Sequence, residues 1–249
     1  MKKLILVRHG ESEWNKLNLF TGWTNVDLTE RGVEEAKEAG KTMKKLGYKP
    51  SICFTSYLKR AIKTLNYILD EMDLDYLPVE KSWRLNEKHY GDMQGKNKME
   101  MVKKYGPEQV QIWRRSFDVQ SPALKPDDPR CPHFDPRYKN VNPKFLPLTE
   151  SLKDTLDRIV PYFRAHIWAA FDQHDEVLVA AHGNSLRGIV KSLKNLSEEE
   201  IVNFNIPTGV PYIFELNKDL SVANDFFLGN PEEIEKKMKE VANQTSLKH

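Results

Sequence analysis

Two segments of the chain set a histidine and a glycine directly after a short apolar run. They are Leu4-Ile5-Leu6-Val7-Arg8-His9-Gly10 and Leu178-Val179-Ala180-Ala181-His182-Gly183. Runs of this length and character read as buried strands. Open α/β sheets bind ligands just beyond the carboxyl ends of their strands. Two histidines placed there can face each other across one site, and the glycine after each lets a ligand approach the backbone. One such histidine alone would be explained by finishing a strand; a matched pair is not. A neutral imidazole can attack phosphorus directly and become phosphohistidine.

The arginines indicate what the pair would act on. Arg8 sits beside His9, Arg60 follows a second strand near the start of a helix, and Arg114-Arg115 are adjacent. A guanidinium is a planar fork of donors that matches phosphate and keeps its charge near neutral pH. Arg8 and Arg60 would neutralise an incoming phosphate and stabilise its equatorial oxygens during transfer. Arg187, one turn past His182, reads better as a solvated surface charge. The leaving hydroxyl needs a proton, and Glu87 in Arg84-Leu85-Asn86-Glu87-Lys88-His89-Tyr90 is the candidate general acid and base. Other site types are weaker. There is no glycine-rich loop followed by Lys-Ser/Thr, and no His-x-x-x-His or Cys-x-x-Cys spacing. Ser185 lacks the glycine two residues on that a nucleophile elbow requires.

Positioning these groups requires strands and helices in alternation. Lys3 to Val7, Ser51 to Thr55 and Val177 to Ala181 read as strands, with Tyr212 to Leu216 and the segment around Phe226 as later ones. A helix capped by Thr29 is expected to run to Leu46. Leu58, Ala61, Ile62, Leu65, Ile68, Leu69 and Met72 form one apolar stripe at helical spacing. A long helix is expected from about Thr149 to Phe171, and Asn230-Pro231 reads as the cap and first residue of a last, charged helix. The alternation implies an α/β fold with a mainly parallel sheet. Ser121 to Pro147 holds seven prolines and no periodicity. It is expected to be a long insertion on a single catalytic domain over residues 1–230, with 231–249 as a C-terminal helix and tail.

With 249 residues the chain is near the upper size for one domain with one core, and 39% hydrophobic residues suffice over that length. The 38 basic and 36 acidic residues leave a net charge of +2, which argues against a nucleic-acid partner. Two cysteines, Cys53 and Cys131, make no disulfide framework and read as free thiols in a reducing compartment. The apolar stretch after Met1 stops at Arg8, too soon for a signal peptide, and no run reaches the roughly 18 apolar residues of a membrane span. A cytoplasmic protein is expected.

Leu6-Val7-Arg8-His9-Gly10-Glu11 resembles the signature of the histidine phosphatase superfamily, whose members use a phosphohistidine. Longer segments are similar to its cofactor-dependent phosphoglycerate mutases: Gly10 to Asn15, Phe20 to Trp23, Arg84 to Gly91, Trp113 to Ser116, Glu150 to Asp154, Ala181 to Arg187 and Asn205 to Gly209. The resemblance implies a three-layer fold, a mainly parallel central sheet flanked by helices. It implies that His9 is phosphorylated, that Glu87 moves the proton, and that His182, Arg8 and Arg60 hold the transferring group. Asn15, Thr21, Gly22, Gly183 and Asn184 would add contacts. Tyr90, Lys98, Arg114 and Arg115 would hold the substrate's carboxylate and non-reacting phosphate. It also implies 2,3-bisphosphoglycerate as primer, phosphoglycerates as substrates, no metal, a dimer or tetramer, and a mobile tail from Lys236 to His249 that covers the site.

Three positions depart from the family pattern: Lys88 stands where arginine is common, Lys96 where leucine is, and Asn25 where aspartate is. None carries a role in the expected chemistry, though Lys96 adds a charge near Lys98 that would tune anion affinity. Two other functions share these residues. A phosphatase would pass the phosphoryl group from His9 to water, and a non-catalytic phospho-ligand binder would have lost a chemical group. The second anion-holding set favours the mutase over the first, and the intact chemical set argues against the second.

Overall fold

The computed structural model describes residues 1–244. In chain order it contains β1 (Lys2–Arg8), α1 (Glu13–Lys16), α2 (Glu30–Lys45), β2 (Ile52–Thr55), α3 (Lys59–Met72), β3 (Val79–Lys81), α4 (Lys98–Tyr105) and α5 (Pro107–Arg115). Then follow α6 (Leu152–Tyr162), β4 (Glu176–Ala181), α7 (Gly183–Lys194), α8 (Glu198–Asn203), β5 (Pro211–Leu216), β6 (Val222–Phe227) and α9 (Pro231–Ala242). The strands form one sheet in the order β3-β2-β4-β1-β5-β6. The first four are mutually parallel, β5 pairs antiparallel with β1, and β6 pairs antiparallel with β5. The expected mixed, mostly parallel α/β fold is the one observed.

Strand alternation builds two cores. On β1, Leu4 and Leu6 face a cluster with Val177, Val179, Phe214 and the helical residues Ile159, Leu186 and Ile189. Ile5 and Val7 face the other side, against Met43 of α2 and Leu65, Ile68 and Leu69 of α3. Burying each such side chain stabilises the fold by about 1.5–3 kcal/mol, so helices are held on both faces of the sheet.

The caps behave as expected: the Thr29 side chain accepts from Gly32 N and that of Asn230 from Glu232 N. The helices α1, α4, α5, α7 and α8 are not among the expected elements, and two further features differ. The short edge strand β3 was not expected; three residues carry too little periodicity to announce it. The long helix does not continue from Thr149 to Phe171. It ends at Tyr162, passes through π-helical turns over Phe163–Trp168 and closes with a 3-10 turn at Ala169–Asp172. Pro161 lies in its last turn, where the missing N–H interrupts the bonding ladder.

The proline-rich stretch contains only short 3-10 turns, at Pro132–Phe134, Pro136–Tyr138 and Pro143–Phe145. It lies over the segment that carries Glu87: Tyr138 packs on Trp23 and accepts a hydrogen bond from Asn86 Nδ2, and Asp92 N donates to Pro122 O.

Candidate active site

Parallel register sets the site. Arg8 pairs with Ala181, so the next residue on each strand, His9 and His182, leaves the sheet at the same level. The rings meet edge to face, 5.1 Å between centroids. Gly10 serves a purpose other than ligand access. A Cβ there would lie 2.1 Å from Gly32 O, so the residue is glycine because the start of α2 packs against it. At Gly183 an added Cβ would make only ordinary contact with the Arg8 guanidinium.

His9 Nδ1 lies 2.7 Å from Gly10 O, which accepts only, so Nδ1 carries the proton and Nε2 keeps a lone pair. Arg60 Nε donates to that Nε2 at 3.3 Å. Burial, then the charges of Arg60 and Arg8, hold His9 well below the ordinary 6.5, leaving the ring neutral. Arg60 is aimed by its loop, with NH1 on Thr24 O and NH2 on Gly22 O. Gly22 has φ +52, and Gln94 Oε1, which accepts from Trp23 N, occupies the place of its missing side chain. Arg8 donates through NH1 to Ile206 O, while its buried Nε has no partner. His182 Nε2 lies 2.7 Å from Ser56 Oγ and its buried Nδ1 has no partner. Burial, Arg60 and His9 keep His182 well below 6.5 as well.

Glu87 is buried beside them. Its Oε1 accepts from Lys88 N at 2.8 Å and from Asn184 N, at the start of α7, at 3.1 Å. The Glu87 carbonyl is gripped by Trp23 Nε1 and Arg158 NH2. Arg158 also holds Arg84 O and Asn86 O and pairs with Glu150 through two bonds, of 2.6 and 2.9 Å.

A second group of donors lies further along the same cavity, which is lined by Tyr90, Lys98, Arg114, Arg115 and Asn184 as well as Asn15, Thr21, Gly22 and Gly183. Every residue expected at the site therefore borders one cavity or, for His182, the ring behind it. The cavity measures about 80 Å³, and Val241 and Gln244 also line it. Gln244 Oε1 accepts from Lys98 Nζ at 2.9 Å and Arg114 NH2 at 3.2 Å. Of the tail expected to cover the site, 245–249 lie outside the described residues.

Two sequence expectations are corrected here. Arg187 is no surface charge: it is 4% exposed and lines the cavity, because one helical turn places it beside Asn184 on the inner face of α7. Lys96 does not join the anion site: it pairs at 2.5 Å with Asp92, which also binds Arg130.

Residues 4–226 match the family model described as the histidine phosphatase superfamily, branch 1. The chain belongs to this superfamily. Its relatives include a 2,3-bisphosphoglycerate-dependent phosphoglycerate mutase of Porphyromonas gingivalis, 61% identical with 100% of both chains covered. One of the same name from Parabacteroides distasonis is 62% identical over 100% of both, and one from Treponema denticola is 56% identical over 99% of this chain and 100% of that one. Among solved structures, a mycobacterial glucosyl-3-phosphoglycerate phosphatase complexed with VO3 superposes with a TM-score of 0.69 at 20% identity. It covers 92% of this chain and 99% of that one, a likeness of fold alone.

Several residues of this histidine phosphatase pocket escaped the sequence reading. Lys88 is fully buried behind it and donates to Trp113 O and Arg114 O, the carbonyls at the end of α5. Burial, then Arg187, pushes Lys88 down to about 7. Ser56, Gln94 and Arg158 act through hydrogen bonds to partners 126, 71 and 71 residues away, separations at which local pattern carries no signal.

Proposed function

We propose that this protein interconverts 3-phosphoglycerate and 2-phosphoglycerate through a phosphohistidine at His9, as a 2,3-bisphosphoglycerate-dependent mutase. The observation that carries the reading is the pairing of a neutral, arginine-flanked histidine with a second set of anion donors in one cavity. A simple phosphatase needs the first set only. The full-length relatives at about 60% identity bear this activity in their names.

His9 Nε2 attacks phosphorus as the P–O bond to the glycerate oxygen breaks. Glu87 delivers a proton to that oxygen. Its Oε1 is occupied by two backbone N–H groups, so Oε2 is the proton-carrying atom. In the return step Glu87 takes the proton from the other hydroxyl, which attacks the phosphoryl group on His9. Ser56 Oγ lies 2.7 Å from His182 Nε2, and in the tautomer that accepts there Nδ1–H would donate to an equatorial oxygen, as would Arg8 Nε–H. Those two unpartnered buried donors, and the cations Arg60, Lys98, Arg114 and Arg115, fit a bisphosphorylated ligand. When bound, 2,3-bisphosphoglycerate supplies the phosphoryl group that primes His9. Lys98, Arg114, Arg115, Tyr90 and Asn184 would hold the non-reacting end and exclude water.

The test is incubation with 3-phosphoglycerate and a trace of 2,3-bisphosphoglycerate in excess EDTA, with His9→Ala as blank. Rapid 2-phosphoglycerate formation that needs the bisphosphate and His9 supports the metal-free mutase. Phosphate release with little 2-phosphoglycerate would replace it by a phosphatase. A cytoplasmic location and a homo-oligomer, dimer or tetramer, belong to the same reading. Among the described residues no helix is long and apolar enough to cross a membrane.

A further inference from the structure

Arg187 is a buried cation that lines the cavity and for which the reaction above has no use. Among the described residues it meets no carboxylate. Its Nε and NH2 both donate to Ile201 O in α8, and its NH1 donates to Asn184 Oδ1 at 2.8 Å. A guanidinium has donors only. The contact therefore fixes which end of the Asn184 carboxamide faces which way. Oδ1 must turn toward Arg187, since the flipped amide would set N–H against N–H. Nδ2 is then forced toward Tyr90 OH, 3.3 Å away, on the cavity side. With Asn184 N already donating to Glu87, the residue presents only donors to a ligand.

We propose that Arg187 is a positioning residue that locks the Asn184 carboxamide with its NH2 toward the ligand, making this wall of the cavity selective for anionic oxygens. The Ile201 carbonyl holds the guanidinium, and the guanidinium holds the amide. Lysine, with one point of charge on a flexible stem, cannot bridge both carbonyl oxygens in the same geometry. The inference rests on the phosphoglycerate reading of the site.

The experiment is a double-mutant cycle on binding, with Arg187→Met, Asn184→Ala and the pair titrated with 3-phosphoglycerate by calorimetry, alongside KM, kcat and melting temperature. Arg187→Met is expected to weaken binding about tenfold, with KM rising and kcat changing by less than about threefold; the pair should be no weaker than Asn184→Ala alone. Arg187→Lys should recover part of the loss. Additive penalties, or a lowered melting temperature with unchanged affinity of the folded fraction, would overturn the role. Wild-type protein that fails to bind 3-phosphoglycerate would sink the substrate reading and this inference together. Tight wild-type binding with additive penalties would sink this inference alone.

Discussion

At the scale of single residues, the site is governed by what the two histidine rings are bonded to. Gly10 O defines His9 as carrying its proton on Nδ1, which leaves Nε2, beside Arg60 Nε, as the attacking atom of the proposed reaction, and Ser56 Oγ, 2.7 Å from His182 Nε2, defines the orientation of the second ring. Ser56→Ala removes that second definition, and kcat is expected to fall about tenfold in a steady-state mutase assay. An unchanged kcat would mean that packing alone orients His182. In the proposed reaction the neutral form of His9 is the active one, and burial, then Arg60 and Arg8, lower its affinity for a proton. Protonation of His9 is therefore expected to switch the proposed reaction off only at acid pH, with the acid limb of kcat/KM below the ordinary imidazole value of 6.5. The check is a pH–rate profile combined with nitrogen NMR of His9; a His9 titration at 6.5 or above contradicts the assignment.

At the scale of elements, α5, α7 and α9 each bring donors or a cover to the cavity. The carbonyl end of α5 is held by Lys88, so Arg114 and Arg115 are set by a residue from a different segment. The cover is α9. Lys237 bonds Glu35, Arg31 pairs with Glu240, and Gln244 reaches Lys98 and Arg114, so the helix end sits where an anion would bind. Closing a site against water protects a phosphorylated intermediate from hydrolysis. Ending the chain at Gly229 is expected to raise phosphate release relative to 2-phosphoglycerate formation by about tenfold. Product partition under single-turnover conditions measures it, and an unaltered ratio would show that α9 is not the barrier to water.

Across the whole molecule, unliganded cations concentrated at one end of the sheet cost stability. Lys88 is pushed down to about 7 from an ordinary 10.5, so between those values the unfolded chain binds the extra proton. Lys98 is displaced in the same direction. Stability of the free protein should therefore rise with pH across that window and be lost as pH falls through about 7. A bound anion favours the charged lysines, and the gain in melting temperature on adding 3-phosphoglycerate should be larger at about pH 7 than at about pH 9 and shrink with added salt. Thermal melts at matched ionic strength decide this; a ligand gain independent of pH would mean both lysines stay charged throughout.

The strands that end in His9 and His182, the helix stripe of Leu58 to Met72, the caps at Thr29 and Asn230, and the residue types of the His–Arg–Glu set were legible in the order of amino acids. These are local properties: apolar runs, periodicities and side-chain types are present before folding. Tertiary structure alone decided that Arg187 is buried, that Lys96 turns to Asp92, and that Gly10 is small for the sake of Gly32. It also decided that Ser56 bonds His182, that Arg158 bonds the Glu87 carbonyl, and that Lys88 and Gln94 bond the backbone of Arg114 and Trp23. Each of these follows from which surfaces meet across tens of residues, and a hydrogen-bond partner that distant leaves no trace in the pattern around either residue.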